Sequence, residues 1–113
     1  MAEAGKCSKC GLCKAVCPVL RVMKEESKGP RCRMLQINEK QEDESLLFST
    51  LCSACDAACP VKIDISKDVL AARQRLVGKG IETEANKRMI ENMRKYGNPF
   101  GEIKGKPKEL FCC

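Results

Sequence analysis

The chain of 113 residues contains no histidine and no tryptophan, one tyrosine and three phenylalanines. Without histidine, zinc sites with imidazole ligands and Rieske centres are excluded. A Ser–His–Asp catalytic triad is excluded for the same reason. So few aromatic side chains leave little surface for stacking nucleic-acid bases, so the formal charge of +6 is weak evidence for nucleic-acid binding.

Long apolar runs are also absent. No segment approaches the roughly 20 apolar residues that a membrane-spanning helix needs. The first residues, Met1–Lys6, have none of the apolar character of a secretory signal. These absences predict a cytoplasmic protein without a membrane span, whose cysteines are reduced thiols and not disulfides.

What the chain does have is ten cysteines, seven of them in two blocks that each end in Cys-Pro. The first block reads Cys7-x2-Cys10-x2-Cys13-x3-Cys17-Pro18, and the second reads Cys52-x2-Cys55-x3-Cys59-Pro60. The first spacing is that of bacterial ferredoxins, in which three thiolates bind one iron–sulfur cubane and the fourth binds a second cluster. A single tetrahedral metal ion gains nothing from this arrangement. The two blocks therefore predict two clusters, most simply two [4Fe-4S] clusters.

The crossover of ligands predicts which cysteines share a cluster. Cys7, Cys10, Cys13 and Cys59 are expected to bind the first cluster. Cys17, Cys52 and Cys55 are expected to bind the second, which leaves one ligand to find. The regular spacing places the missing ligand at position 49, which is a serine.

Three explanations of the missing ligand remain open. Cys32 can supply the eighth thiolate, and this is the favoured assignment because it completes two sets of four. Ser49 can bind through its oxygen, or the second site can hold a [3Fe-4S] cluster or an iron with an open position. In the third explanation Cys32 is a free thiol and the second cluster is absent.

The chain between and after the two blocks predicts a mostly α-helical fold. No alternating strand pattern or hairpin turn is present. The first block is expected to lead into a short helix with Leu12, Val16, Val19, Leu20 and Met23 turned inward. Helices are expected to begin at the prolines and capping residues and to end at glycines. The predicted starts are Pro18, Pro30, Asp64 or Ser66, and Thr83; the predicted ends are Gly78 or Gly80, and Gly97.

The order of these segments resembles the iron–sulfur proteins that contain an α-helical ferredoxin domain. This family includes the small iron–sulfur components of heterodisulfide reductase and of anaerobic glycerol-3-phosphate dehydrogenase, and the iron–sulfur subunits of glycolate and lactate oxidation. The matching segments are Cys7–Pro18, Gly29-Pro30-Arg31-Cys32-Arg33-Met34, Cys52–Val61 and Gly97-Asn98-Pro99-Phe100-Gly101.

The resemblance implies an electron-transfer subunit with two cluster-binding loops, which passes electrons from one cluster to the other. The implied partner is an oxidoreductase subunit with a cysteine-rich or flavin domain, or another redox protein. Two positions depart from the family, which usually has glycine where Cys32 stands and cysteine where Ser49 stands. A cysteine missing at position 49 and gained at position 32 looks like a ligand exchanged between the two positions.

The resemblance also divides the chain. Residues 1–97 correspond to the two-cluster ferredoxin domain. Residues 98–113 resemble the start of the cysteine-rich domain that often follows it, and the chain stops there. Cys112 and Cys113 are expected to be a remnant of that domain, with a redox-sensitive thiol pair or further metal ligands as alternatives.

Two other functions compete with electron transfer. A zinc-binding interaction module would use Cys7, Cys10, Cys52 and Cys55, but it leaves the other motif cysteines and both prolines unexplained. An iron–sulfur enzyme would bind its substrate at an open iron near Ser49. By itself, the chain is not expected to be an enzyme, because no residues resemble an acid–base pair.

Overall fold

A computed structural model of the chain describes residues 3–105. Within this range the chain is 61% helical and contains no strands, which confirms the mostly α-helical fold. The described part of the chain has six α-helices: α1 (Leu12–Ala15), α2 (Pro18–Met23), α3 (Pro30–Glu39), α4 (Ala54–Ala58), α5 (Ile65–Gly78) and α6 (Glu84–Tyr96). The same residues include three short 3-10 helices, at Ala4–Lys6, Glu26–Lys28 and Glu44–Phe48.

Contacts divide the chain into two units, with the division between Ile81 and Glu82. In the first unit α3 packs against α5, and the 3-10 helix Glu44–Phe48 also packs against α5. Their facing side chains form a small aliphatic core. Its largest fully buried members are Met34, Leu46, Val69 and Leu76. This core holds the two cysteine blocks at its edge, since Cys59 is part of it and Cys7, Cys13 and Cys55 pack against it.

Most helix boundaries follow the capping signals in the sequence. Pro18 and Pro30 occupy the first turn of α2 and α3, where the missing N–H has no intrahelical partner to lose. Asp64 caps α5, because its Oδ1 accepts a hydrogen bond of 2.9 Å from the N–H of Lys67. The helix ends at Gly78, the first of the two predicted ends.

The second unit contains α6 and the segment that follows it. Thr83 caps this helix by accepting a hydrogen bond of 3.3 Å from the N–H of Asn86, and Gly97 ends it with a φ of 72°. Gly101 has a φ of 85°, and a Cβ there would lie 3.3 Å from Asn92 Oδ1. The positive φ and the close side chain together explain why glycine stands at this position of the Gly-Asn-Pro-x-Gly segment.

The prediction of inward-facing side chains in the first block was wrong for three of its five residues, whereas Val19 and Leu20 are half-buried. Leu12 is 56% exposed, and Val16 and Met23 are also exposed. Because α1 has only four residues and α2 six, these helices present too short an apolar face to cover all the aliphatic side chains that they carry.

None of the helices in residues 3–105 is long and apolar enough to cross a membrane. The proposed domain boundary after residue 97 stays a prediction. Lys106–Cys113, including the Cys112–Cys113 pair, lies outside the described residues.

Candidate metal centre

Four cysteines from the two blocks line one cavity in the first unit. Cys7, Cys10 and Cys13 come from the first block, and Cys59 comes from the end of the second. The other walls of the cavity are mostly apolar and include Met34, Val61, Ile63 and Ile65. The structure therefore brings together the four residues that the sequence predicts for the first cluster.

The first loop is shaped by two residues with left-handed backbone on either side of Cys10. Lys9 has a φ of 58° and Gly11 a φ of 82°. A side chain at position 11 would also meet Arg31, whose Nη1 would lie 3.4 Å from an added Cβ. This backbone turns the N–H groups that follow Cys10 toward its sulfur. The N–H of Leu12 is the main cause of a lowered pKa for the Cys10 thiol.

The thiol of Cys13 has a different environment. Burial is the largest cause of its raised pKa, and the neighbouring Cys7, Cys10 and Cys59 raise it further. Mutual electrostatic repulsion of this kind means that four thiolates at one place need a positive partner. Iron supplies that charge in an iron–sulfur cluster.

Cys59 lines the cysteine-lined cavity because it lies directly after the last residue of α4. The residue is the C-cap of α4, with φ −74° and ψ 119°, and it is buried. Its N–H is bonded to the carbonyl of Asp56 at 3.2 Å. Helix α4 packs against α1 of the first block, which places the end of one block beside the start of the other.

The cysteines predicted for the second cluster lie along these same two elements. Cys17 follows α1 and is buried, and its sulfur accepts a hydrogen bond of 3.4 Å from the N–H of Leu20. Cys52 precedes α4 and is exposed. Its pKa is lowered, mainly by the N–H of Ala54 and also by the hydroxyl of Thr50.

The remaining thiol of this group, Cys55, lies within α4 and is half-buried. Burial raises its pKa to about 11, with a contribution from the adjacent Asp56 carboxylate. A half-buried thiol with so high a pKa remains protonated at neutral pH unless a bound metal displaces the proton.

Cys32 lies in the first turn of α3 and is half-buried. Its helical neighbours Arg31 and Met34 line the first cavity, whereas Cys32 is not among the lining residues. Cys32 as the eighth ligand stays a prediction. All eight cysteines between residues 3 and 105 are free thiols.

Within the described range, no three Cys, Asp or Glu side chains are arranged to hold a single metal ion. Four cysteines line one cavity, and a cubane, in which each thiolate binds a different iron, is a group that four such ligands can hold. The N–H donors that face Cys10, Cys17 and Cys52 are the kind of hydrogen bond that tunes iron–sulfur clusters. The residues present therefore fit iron–sulfur clusters.

Sequence reasoning missed Arg73, which holds the backbone before the second block. The guanidinium of this α5 residue donates hydrogen bonds to the carbonyls of Leu46 at 3.0 Å, of Leu47 at 2.9 Å and of Ser49. Nothing in the local sequence marks this role, because arginine in an amphipathic helix is usually a solvent-facing residue.

Arg33 is a buried cation that acts on the half-buried Arg73, whose pKa is lowered by burial and then by the charge of Arg33. Arg33 is 3% exposed and donates to the carbonyl of Lys28. Its Nε has no hydrogen-bond partner among the described residues. The charge of Arg33 thus acts on Arg73, whose guanidinium binds the segment that precedes the second cysteine block.

Comparison with known proteins agrees with this geometry. The family of 4Fe-4S dicluster domains matches residues 3–63. The chain is 32% identical over 101 residues to the uncharacterized electron transport protein YkgF of Escherichia coli, an alignment that covers 82% of this chain and 21% of that protein.

Two further relatives carry functional names. Lactate utilization protein B of Bacillus licheniformis is 37% identical over 82 residues, or 66% of this chain and 17% of that protein. The glycolate oxidase iron–sulfur subunit of Escherichia coli is 28% identical over 78 residues, or 57% and 19%. The chain therefore spans only about a fifth of the length of these relatives. Since the family match covers more than half of the chain and includes both cysteine blocks, the chain belongs to the 4Fe-4S dicluster domain family.

Proposed function

We propose that this chain is an electron-transfer iron–sulfur protein that relays electrons between two [4Fe-4S]-type clusters. The observation that carries the proposal is the cavity lined by Cys7, Cys10, Cys13 and Cys59. Three thiols from one block and one from the other is the ligand set of the first cluster in a two-cluster ferredoxin. Cys17, Cys52 and Cys55 bind the second cluster, with the eighth ligand at Cys32 or at Ser49.

The protein contributes position and electrostatics, and the clusters supply the redox chemistry. The backbone N–H groups of Leu12, Leu20 and Ala54 donate to sulfurs of both sets and stabilise their anionic state. Apolar side chains around the first cavity limit the access of water to it. Close packing of α1 against α4 keeps the two clusters near each other, which electron transfer between them requires.

The partner is an oxidoreductase subunit in the cytoplasm that carries a cysteine-rich or flavin domain. Support comes from relatives whose names refer to electron transport, lactate utilization and glycolate oxidation. Each is several times longer than this chain, so the remaining functions of such a protein reside in sequence beyond the aligned part.

Anaerobic purification followed by iron and sulfide reconstitution tests the proposal. We expect a brown protein with broad visible absorption that dithionite bleaches, and about seven to eight irons per chain. Colourless, zinc-loaded protein from iron-replete anaerobic cells, or fewer than about four irons after reconstitution, would show that the chain does not carry two clusters. Isolation of the tagged chain from its host, with identification of the bound subunits, tests the partner.

A further inference from the structure

The two cysteine blocks repeat each other at a separation of 42 residues. Cys10, Cys13 and Cys17 correspond in spacing to Cys52, Cys55 and Cys59, and each block is followed by proline. A short helix begins two residues after the first cysteine of each set, α1 at Leu12 and α4 at Ala54. The sequence thus raises the question whether the repeat extends to the residue before these cysteines, where Cys7 corresponds to Ser49.

Backbone conformation repeats with the same separation. Lys9 and Leu51, which precede the first matched cysteines, have φ values of 58° and 54°. Gly11 and Ser53, which follow them, are both left-handed, with φ/ψ of 82°/4° and 59°/8°. Leucine and serine adopt this region rarely, so its appearance at Leu51 and Ser53 shows that the second loop is held in the shape of the first.

The residue types next to the compared positions correspond as well. Ser8 follows Cys7 directly and Thr50 follows Ser49 directly, so a hydroxyl residue stands beside each of the two positions.

Ser49 itself has the backbone of a ligand. Its φ/ψ of −67°/135° is close to the −66°/116° of Cys7, and each residue directly follows a 3-10 helix, Ala4–Lys6 or Glu44–Phe48. The Ser49 hydroxyl bonds within its own loop, because it accepts a hydrogen bond of 3.3 Å from the N–H of Leu51. Arg73 holds the carbonyl of the same residue.

We infer that Ser49 takes the fourth ligand position of the second cluster, the position that Cys7 takes in the first. This inference rests on the proposed function and decides between its two candidates for the eighth ligand. Cys32 has no counterpart in the repeat, since it lies on α3 between the two blocks. One iron of the second cluster then faces an oxygen where the other irons face thiolates. Because oxygen is a harder ligand than thiolate, iron at this position is held less firmly.

A set of four proteins tests the inference, each prepared anaerobically as the full chain and treated briefly with ferricyanide. In the wild type we expect loss of about one iron per chain and the EPR signal of an oxidised three-iron cluster. Ser49→Cys should keep that iron and lose the three-iron signal. Cys32→Ser should behave as the wild type. Ser53→Cys, which adds a thiol to the same loop outside the ligand register, should also behave as the wild type.

Two results would overturn the inference. One is a Cys32→Ser protein that has lost the second cluster, which would make Cys32 the eighth ligand. The other is a Ser49→Cys protein that loses iron as readily as the wild type. Failure of the proposed function looks different, because none of the four proteins would then bind cubanes. Signals of the first cluster in all four provide the internal control for folding.

Discussion

Replacement of Arg73 by methionine should weaken the second cluster site and leave the first intact. Methionine keeps a long apolar stem but removes the guanidinium, which donates to three carbonyls of one segment, those of Leu46, Leu47 and Ser49. Arg73 differs from a surface arginine, because its guanidinium binds backbone carbonyls at the end of the 3-10 helix that leads into the second block.

The expected loss can be worked out from the burial of the carbonyls. Leu46 is fully buried, so its carbonyl cannot exchange its partner for water, and losing a buried hydrogen bond costs about 1–3 kcal/mol. Leu47 and Ser49 are half-buried, so water replaces part of each bond and each loss is about 0.5 kcal/mol. Removing one of two neighbouring cations relieves repulsion with Arg33, which offsets part of the loss. The net destabilisation should be about 2–3 kcal/mol.

Urea denaturation of the reconstituted protein, followed by visible absorbance, measures this effect. For an m-value of about 1.5 kcal/mol/M, the midpoint should fall by about 1.3–2 M. Gln74→Ala, an exposed change on the next residue of α5, is the control and should shift the midpoint by less than about 0.3 M. Equal midpoints for Arg73→Met and Gln74→Ala would refute the view that the guanidinium holds the loop. Loss of the first cluster before the second would refute its assignment to the second block.

Two further predictions follow from the structure. Gly97→Ala should destabilise the end of α6 by about 1 kcal/mol, because φ is 72° there. Gly78→Ala, at a position with ordinary φ and open space, should be neutral or stabilise the protein by about 0.5 kcal/mol. Thermal denaturation followed by circular dichroism compares the pair, and equal effects would contradict the backbone argument. Removal of the clusters with a chelator and an oxidant should abolish most of the helical signal, because the core is small and the proposed ligand sets join both blocks through metal. A helical apo-protein with a cooperative transition would show that the clusters are not needed for folding.

The sequence predicted the elements whose local signals are strong. Asp64, Thr83 and Gly97 mark helix boundaries through side-chain or glycine chemistry that acts within four residues, and the structure has those boundaries. The grouping of Cys59 with the first block was predictable because ligand crossover is a property of the spacing itself.

Properties that depend on tertiary packing were not predictable in the same way. The exposure of Leu12 follows from the shortness of α1, which the residue types alone do not show. The role of Arg73 depends on where α5 lies relative to Leu46, a residue 27 positions earlier in the chain. The left-handed conformation of Leu51 contradicts its intrinsic preference, so the loop as a whole imposes it.

The proposed crossover of ligands makes the two clusters depend on each other. Cys59 ends α4 in the second block but lines the first cavity, and the repeat makes Cys17 its counterpart in the first block. In the proposed ligand sets each cluster therefore joins both blocks, as a cross-link closes a loop of the chain.

Cys59→Ser should consequently damage the cluster that is distant in sequence. We expect the first cluster to be lost or converted while the second keeps its EPR signal, with iron per chain reduced by up to about half. Ala57→Ser, a change of similar size on an exposed position of α4, is the control and should retain both clusters. Selective loss of the second cluster in Cys59→Ser would mean that each block binds its own cluster without crossover. In that case the cavity formed by Cys7, Cys10, Cys13 and Cys59 would not be a cluster site, and the electron relay through this chain would need a different ligand set.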